Sequence, residues 1–266
     1  MSAVTIATLL RHAWARHRVT LAVISVAIGV FEFILTRLAP APNEVSWVSS
    51  LLMTLPPEMK ALIGNEIATS PGGFLAIGYG HPFFLMLLGA WIVRTSSAAV
   101  AGEIGVGTMD LLASRPVRRW QFVVSGMLTV AIGLAVIVAC GWIGTAAGLW
   151  TRTLGVGSGN FVPVVTGAWL LFATWGAVGM LVGCLRRDGG QTIASTTGIL
   201  AVSFVLDYVA RLWLPISALR PLSLFRYYEP QVIFAAGLPA TTLLVLMTTI
   251  AVSLLAAIAA INRRDL

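Results

Sequence analysis

The chain has 266 residues, 58% of them hydrophobic and only 10% charged, with a mean hydropathy of +0.92. Soluble domains carry about a quarter charged residues, so these figures exclude an ordinary soluble enzyme or binding module and define an integral membrane protein. A net charge of +7 would point to nucleic acid in a soluble chain; in so apolar a chain the information lies in where the cations fall, and no nucleic-acid partner is expected.

At the start of the chain Ile6, Leu9, Leu10, Ala13 and Trp14 recur at helical spacing, with Thr8, Arg11, His12 and Arg18 on the other side. That pattern predicts an interfacial helix over residues 1–18, lying along the inner leaflet with tryptophan and arginine at headgroup level. A hydrocarbon core about 30 Å thick takes about 20 apolar residues of helix. Six windows of that kind follow, at 19–37, 82–101, 122–150, 163–185, 192–214 and 240–261. The fold class expected is therefore an all-α polytopic membrane protein forming one transmembrane domain over 1–266. Continuous apolar runs exclude a β-barrel, whose strands alternate over about ten residues. The first run exceeds the length of a signal-peptide core and is read as an uncleaved anchor.

Residues 38–81 form the longest connection, with short amphipathic helices broken at Pro56-Pro57 and a terminal Pro71-Gly72-Gly73-Phe74, expected at the outer mouth. A second outer segment, 215–239, mixes Arg220, Arg226, Tyr227, Tyr228 and Glu229 with apolar residues and reads as a lid. With the amino terminus inside, eleven of the 17 cations lie at the inner face (Arg11, Arg16, Arg18, Arg94, Arg115, Arg118, Arg119, Arg186, Arg187, Arg263 and Arg264) and six at the outer. This excess places both termini in the cytoplasm. Cys140 and Cys184 sit toward opposite ends of adjacent spans, so a disulfide between them is not expected.

Glu32 in the first span and Asp207 in the fifth are intramembrane carboxylates, expensive in lipid and therefore expected to face protein or water. Asp207 has Arg211 at helical ion-pair spacing. A structural or vestibule-lining role and a place on the substrate path both remain open for the two. Small residues at four-residue spacing, Gly144 with Gly148 and Gly179 with Gly183, allow close helix approach and are candidates for a dimer seam. No metal site, no catalytic constellation and no cofactor of the chain's own are expected.

The inner connection 102–121 stands apart, because it sets Glu103, Asp110, Arg115, Arg118 and Arg119 between two apolar runs. Gly105 and Gly107 break the helix after Glu103. Thr108 is a plausible N-cap for a short helix over 109–113, with Asp110 in its first turn, where a carboxylate complements the helix dipole. Pro116 turns Arg115 away from helical geometry and suits the start of the next helix. The product is a short helix parallel to the membrane presenting Leu111 and Leu112.

The run Glu103-x3-Gly107-Thr108-x2-Leu111-Leu112-x3-Pro116-Val117-x-Arg119 resembles the signature loop of the permease subunits of type-2 ATP-binding-cassette (ABC) exporters, of a drug- or antibiotic-export-like branch. The elbow, six spans, the Pro-Gly-Gly-Phe stretch and the Arg263-Arg264-Asp265-Leu266 tail extend the resemblance over the whole chain. Gly105 stands where many relatives carry a second acidic residue. The resemblance implies that Glu103, Gly107, Thr108, Asp110, Leu111, Leu112, Pro116 and Arg119 serve a cytoplasmic coupling helix seated in a separate ATPase. It further implies two such ATPases holding ATP and Mg, and a second permease subunit, identical or similar, in the bacterial cytoplasmic membrane. The chain itself has no phosphate-binding loop, since its one lysine, Lys60, lacks the upstream glycines. The apolar spans favour a lipophilic or amphipathic cargo such as a drug, an antibiotic or a lipid. Ion export, metal-enzyme maturation, a motor-independent carrier or channel and a membrane-embedded enzyme are the competing readings.

Overall fold

The computed structural model describes residues 2–40, 54, 70–99, 101–102, 118–186 and 188–263. Among these the chain is all-helical, and six helices are long and apolar enough to cross a bilayer. We label the helices α1 (Ser2–Leu38), α2 (Pro71–Gly80), α3 (Pro82–Ala99), α4 (Arg119–Trp150), α5 (Val162–Leu185), α6 (Gly189–Leu212), α7 (Pro230–Ala236) and α8 (Ala240–Asn262).

Two boundaries differ from the sequence reading. The interfacial helix expected over 1–18 is not set off from the first span: α1 is one helix of 37 residues. Neither glycine nor proline interrupts it before Gly29, so nothing in the backbone divides it at residue 18. The second span, expected to begin at Pro82, is preceded directly by α2, and the apolar helical stretch runs Pro71–Ala99. Ser70 caps α2 by accepting from the Gly73 amide at 3.0 Å, with Pro71 in the first turn. The Pro-Gly-Gly-Phe stretch is thus the start of a buried helix and not the end of a surface loop. His81, extended at φ −65°, ψ 139°, separates α2 from α3.

The sequence of α5 is apolar all round and its position matches: 78% of its spanning window is buried, against 17% for α6 and 22% for α8. It packs on α3, α4 and α8, while α1 pairs along its length with α4. Glycine makes that pairing possible. A Cβ on Gly144 would lie 2.1 Å from the Gly29 carbonyl oxygen, and one on Gly148 2.6 Å from Thr36. The Gly144/Gly148 stripe is therefore the α1–α4 contact inside one chain, not a seam between subunits. Gly179 faces Ser96 of α3 in the same way. Indole N–H groups complete the packing: Trp91 donates to the Val130 carbonyl at 3.2 Å and Trp169 to that of Ala131 at 2.8 Å. Gly133 leaves the space in which the Trp91 ring lies.

At the far end, Arg152, just after α4, closes the α1–α4 pair. Its Nη1 donates to the carbonyls of Thr36, Arg37 and Ala39 at 3.2, 2.6 and 2.8 Å. A cation on the last carbonyls of a helix also complements its dipole.

Replacing Gly144 by leucine forces side-chain atoms into the Gly29 backbone, which cannot move aside as a side chain can. Overpacking of this kind costs about 1–3 kcal/mol, so Tm in detergent should fall by roughly 2–12 °C. Gly198→Ala, where a Cβ meets nothing within 4 Å, should leave Tm unchanged.

Candidate functional site

Of the residues singled out in the coupling loop, Glu103, Gly107, Thr108, Asp110, Leu111, Leu112 and Pro116 lie outside the described residues. What the structure places is the ground on which that loop stands. On the α3 side, Gly102 meets the first residue of α6: a Cβ on Gly189 would be 3.5 Å from the Gly102 Cα. On the α4 side, Gln121 turns back to accept the Arg118 amide at 2.8 Å, so that the first turn of α4 is closed by a side chain. Arg119 then reaches the other way, its Nη1 donating to the Ile261 carbonyl in the last turn of α8 at 3.4 Å. Asp188 caps α6 at the same face, accepting the Gln191 amide at 2.8 Å. The residues flanking 103–117 thus rest on α6 and α8, the two least enclosed spans.

The opposite end of the bundle is closed by the segment between α6 and α8. Two 3₁₀ stretches, Leu214–Leu222 and Leu224–Tyr227, are followed by α7. The second dips inward: Phe225 packs on Phe204 of α6 and on Phe172 and Trp175 of α5, at centroid distances of 5.3, 6.4 and 5.9 Å. Non-helical backbone at that depth survives only where protein satisfies it, and here two serines do so. Ser223 Oγ donates to the Ser203 carbonyl at 2.7 Å, and the Leu224 and Phe225 amides donate to Ser203 Oγ and Ser223 Oγ. Tyr228 ties the segment to α2 by donating to the Tyr79 carbonyl at 3.1 Å.

Asp207 belongs to this closure. It accepts from Arg211 Nε at 2.8 Å, as its spacing predicts, and also from Arg220 Nε at 2.9 Å. Arg220 bonds Glu229 in turn, and Arg211 lies 3.5 Å from the same Glu229 oxygen. Two cations and two carboxylates form one neutral network between α6 and the lid. Burial works to lower the Arg220 pKa, but its bonds to Asp207 and Glu229 outweigh that and hold it above the ordinary arginine value. The sequence singled out the Asp207–Arg211 pair, and Arg220 and Glu229 as lid residues, but not the link between them; their placement beside Pro221 and Pro230 in an otherwise apolar chain was the available signal.

Glu32 is not brought to Asp207. It is 1% exposed, and neither carboxylate oxygen has a hydrogen-bond partner among the described residues. It sits under α2, where a Cβ on Gly78 would come within 3.0 Å of it. Beside it, the Tyr79 hydroxyl meets Thr145 at 2.7 Å. Cys140 and Cys184 are not joined, and no three His, Cys, Asp or Glu residues converge among the described residues.

Six apolar crossings, an enclosed central helix and a folded-in lid define a multi-pass helical membrane protein. Residues 16–266 match the family model of ABC-2 family transporter proteins, and the chain belongs to that family. It is accordingly a permease, the membrane component of an ABC transporter, a class that associates with ABC ATPases. No curated protein matches the chain.

Exchanging Asp207 for Asn leaves Arg211 and Arg220 to share one carboxylate, Glu229. Unfolding in a detergent titration should lose about 1–3 kcal/mol, less than for a fully buried pair because the arginines keep some exposure. In the double variant Asp207→Asn, Arg220→Gln the losses should be less than additive.

Proposed function

We propose that this chain is one permease half of an ATP-driven exporter in the bacterial cytoplasmic membrane, with residues 103–117 forming a coupling helix seated in a groove of a separate ATPase. The observation that carries this is the footing of that segment: Gly102 on Gly189 and Arg119 on Ile261. A push delivered there reaches the start of α6 and the end of α8 directly. Leu111 and Leu112 supply the apolar contact, Glu103 and Asp110 the charge near the helix ends, and Gly107, Thr108 and Pro116 the turns. ATP and Mg are held by two partner ATPases. The face carrying Arg118, Arg119, Arg186 and Arg263 is cytoplasmic, with both termini on that side.

A second permease, identical or similar, completes the path for the cargo. The outward face of α6 supports this. Gly190, Ala194 and Gly198 repeat at four-residue spacing and are all exposed, with Gln191 and Thr197 beside them. Small and polar side chains gain little from lipid but pack well against another helix. The cargo is lipophilic or amphipathic, because of the two carboxylates buried in the described spans Asp207 is spent in its arginine network and Glu32 is packed over by α2. Both carboxylates then serve structure and not the substrate path.

The double variant Leu111→Asp, Leu112→Asp should insert normally yet lose cargo-linked ATP hydrolysis by roughly tenfold or more when reconstituted with its ATPase. Normal export by that variant rejects the docking role. Thr197→Cys should give a disulfide-linked permease pair in membranes under mild oxidation.

A further inference from the structure

At the loop-bearing end of the bundle a groove of about 680 Å³ opens between the last turns of α5 and α8. Leu181 and Leu185 form one wall, and Ala256, Ala259 and Ala260 a shallow floor. Alanine at three positions of one helix face leaves the depth; leucine, common elsewhere on α8, would fill it. The groove faces outward from the bundle, with Leu185 65% exposed at its edge. Arg263 stands at its mouth, at the C-cap of α8. Arg186, the C-cap of α5 and also exposed, is the residue after Leu185. Among the described residues neither arginine has an acidic partner, and the one carboxylate fixed at this end, Asp188, is engaged at the α6 N-cap.

An apolar trough inside the bilayer ending at guanidinium groups with no acidic partner among the described residues has the polarity of an anionic phospholipid, tails inward and phosphate outward. Guanidinium forks suit a phosphate oxygen pair, and basic pockets between spans hold such headgroups. A soluble anion would find no use for the alanine floor, and a helix from a second copy would leave the arginines unmatched. We propose that the α5–α8 groove is a binding site for one anionic phospholipid, with an acyl chain over Ala256, Ala259 and Ala260 and its phosphate on Arg263.

The assignment requires only that α5 and α8 cross a bilayer. It is read by lipid retention without transport, so its failure and the failure of the exporter reading are separate events. The full-length chain in detergent is titrated with phosphatidylglycerol and with phosphatidylcholine of the same acyl chains, and bound lipid is counted by native mass spectrometry. The expected result is one phosphatidylglycerol retained with about fivefold preference over phosphatidylcholine, as one arginine at an anionic headgroup provides. Arg263→Gln should abolish the preference while leaving phosphatidylcholine binding as it was, and Arg263→Lys should restore part of it. Ala259→Leu should weaken both lipids by filling the trough. Arg263 is exposed and terminal, so its replacement leaves no hole; should Ala259→Leu misfold, the arginine pair decides alone. Equal retention of the two lipids by the unaltered chain, or an unchanged preference in Arg263→Gln, overturns the proposal. So does displacement of the lipid by millimolar inorganic phosphate, which marks a free-anion site. Disulfide-linked copies formed through Ala259→Cys also overturn it, since they mark a subunit interface.

Discussion

Helices surrounded by lipid gain nothing from being apolar, because the surroundings are as apolar as they are. Contact between them has to come from backbones that approach closely and from polar groups that find partners. The α1–α4 pair meets the first requirement with Gly144 set against the Gly29 carbonyl and Gly148 against Thr36. It meets the second with Arg152, which collects three carbonyls at the end of α1 that no intrahelical donor can reach. The same logic recurs at Gly133 with Trp91, where a missing side chain admits an indole that then donates to a carbonyl one helix away.

Against that close-packed half, α6 is held mainly by its ends, while α8 packs along α5 on one face and leaves the other open. The inner end of α6 abuts Gly102 and its outer part is bound through Asp207, Ser203 and the folded-in segment. α8 is tied at one end by Arg119 on Ile261 and at the other by Thr242, whose hydroxyl donates to the Tyr227 carbonyl at 3.1 Å. The bundle therefore combines a tightly seamed unit with two spans whose lateral faces stay open. The serines at 203 and 223 have a disproportionate effect: without them the backbone at Leu224 and Phe225 would enter the bundle unsatisfied.

Composition and run length made the six crossings legible, because about 20 apolar residues in succession have few other uses. Where each run began was less so. Ser70-Pro71 is a sound helix start, but the glycines after it read as a loop; only burial against Phe234, whose ring occupies the space beside Gly72, keeps that stretch helical. At the amino terminus, amphipathic spacing suggested a change of direction that the uninterrupted helix does not contain. The Asp207–Arg211 pair was visible because its partners lie on one helix; the link to Arg220 and Glu229 was not, because Arg220 lies 13 positions on, beyond the end of α6. The glycine pairs were recognised as contacts, but spacing alone does not say whether the opposing helix belongs to the same chain.

At 1.5 Å per residue the 37 residues of α1 extend about 56 Å, nearly twice the hydrocarbon thickness. Arg152 fastens one tip of this rod, and the glycine seam binds α4 along its flank, so the two turn together like a mast stepped at its foot. A swing of ten degrees about that fixed tip carries the other tip through about 10 Å by the geometry of so long a helix. Arg119 lies at the opposite end of α4 and is bonded to the Ile261 carbonyl, so that end cannot shift without carrying the last turn of α8 with it.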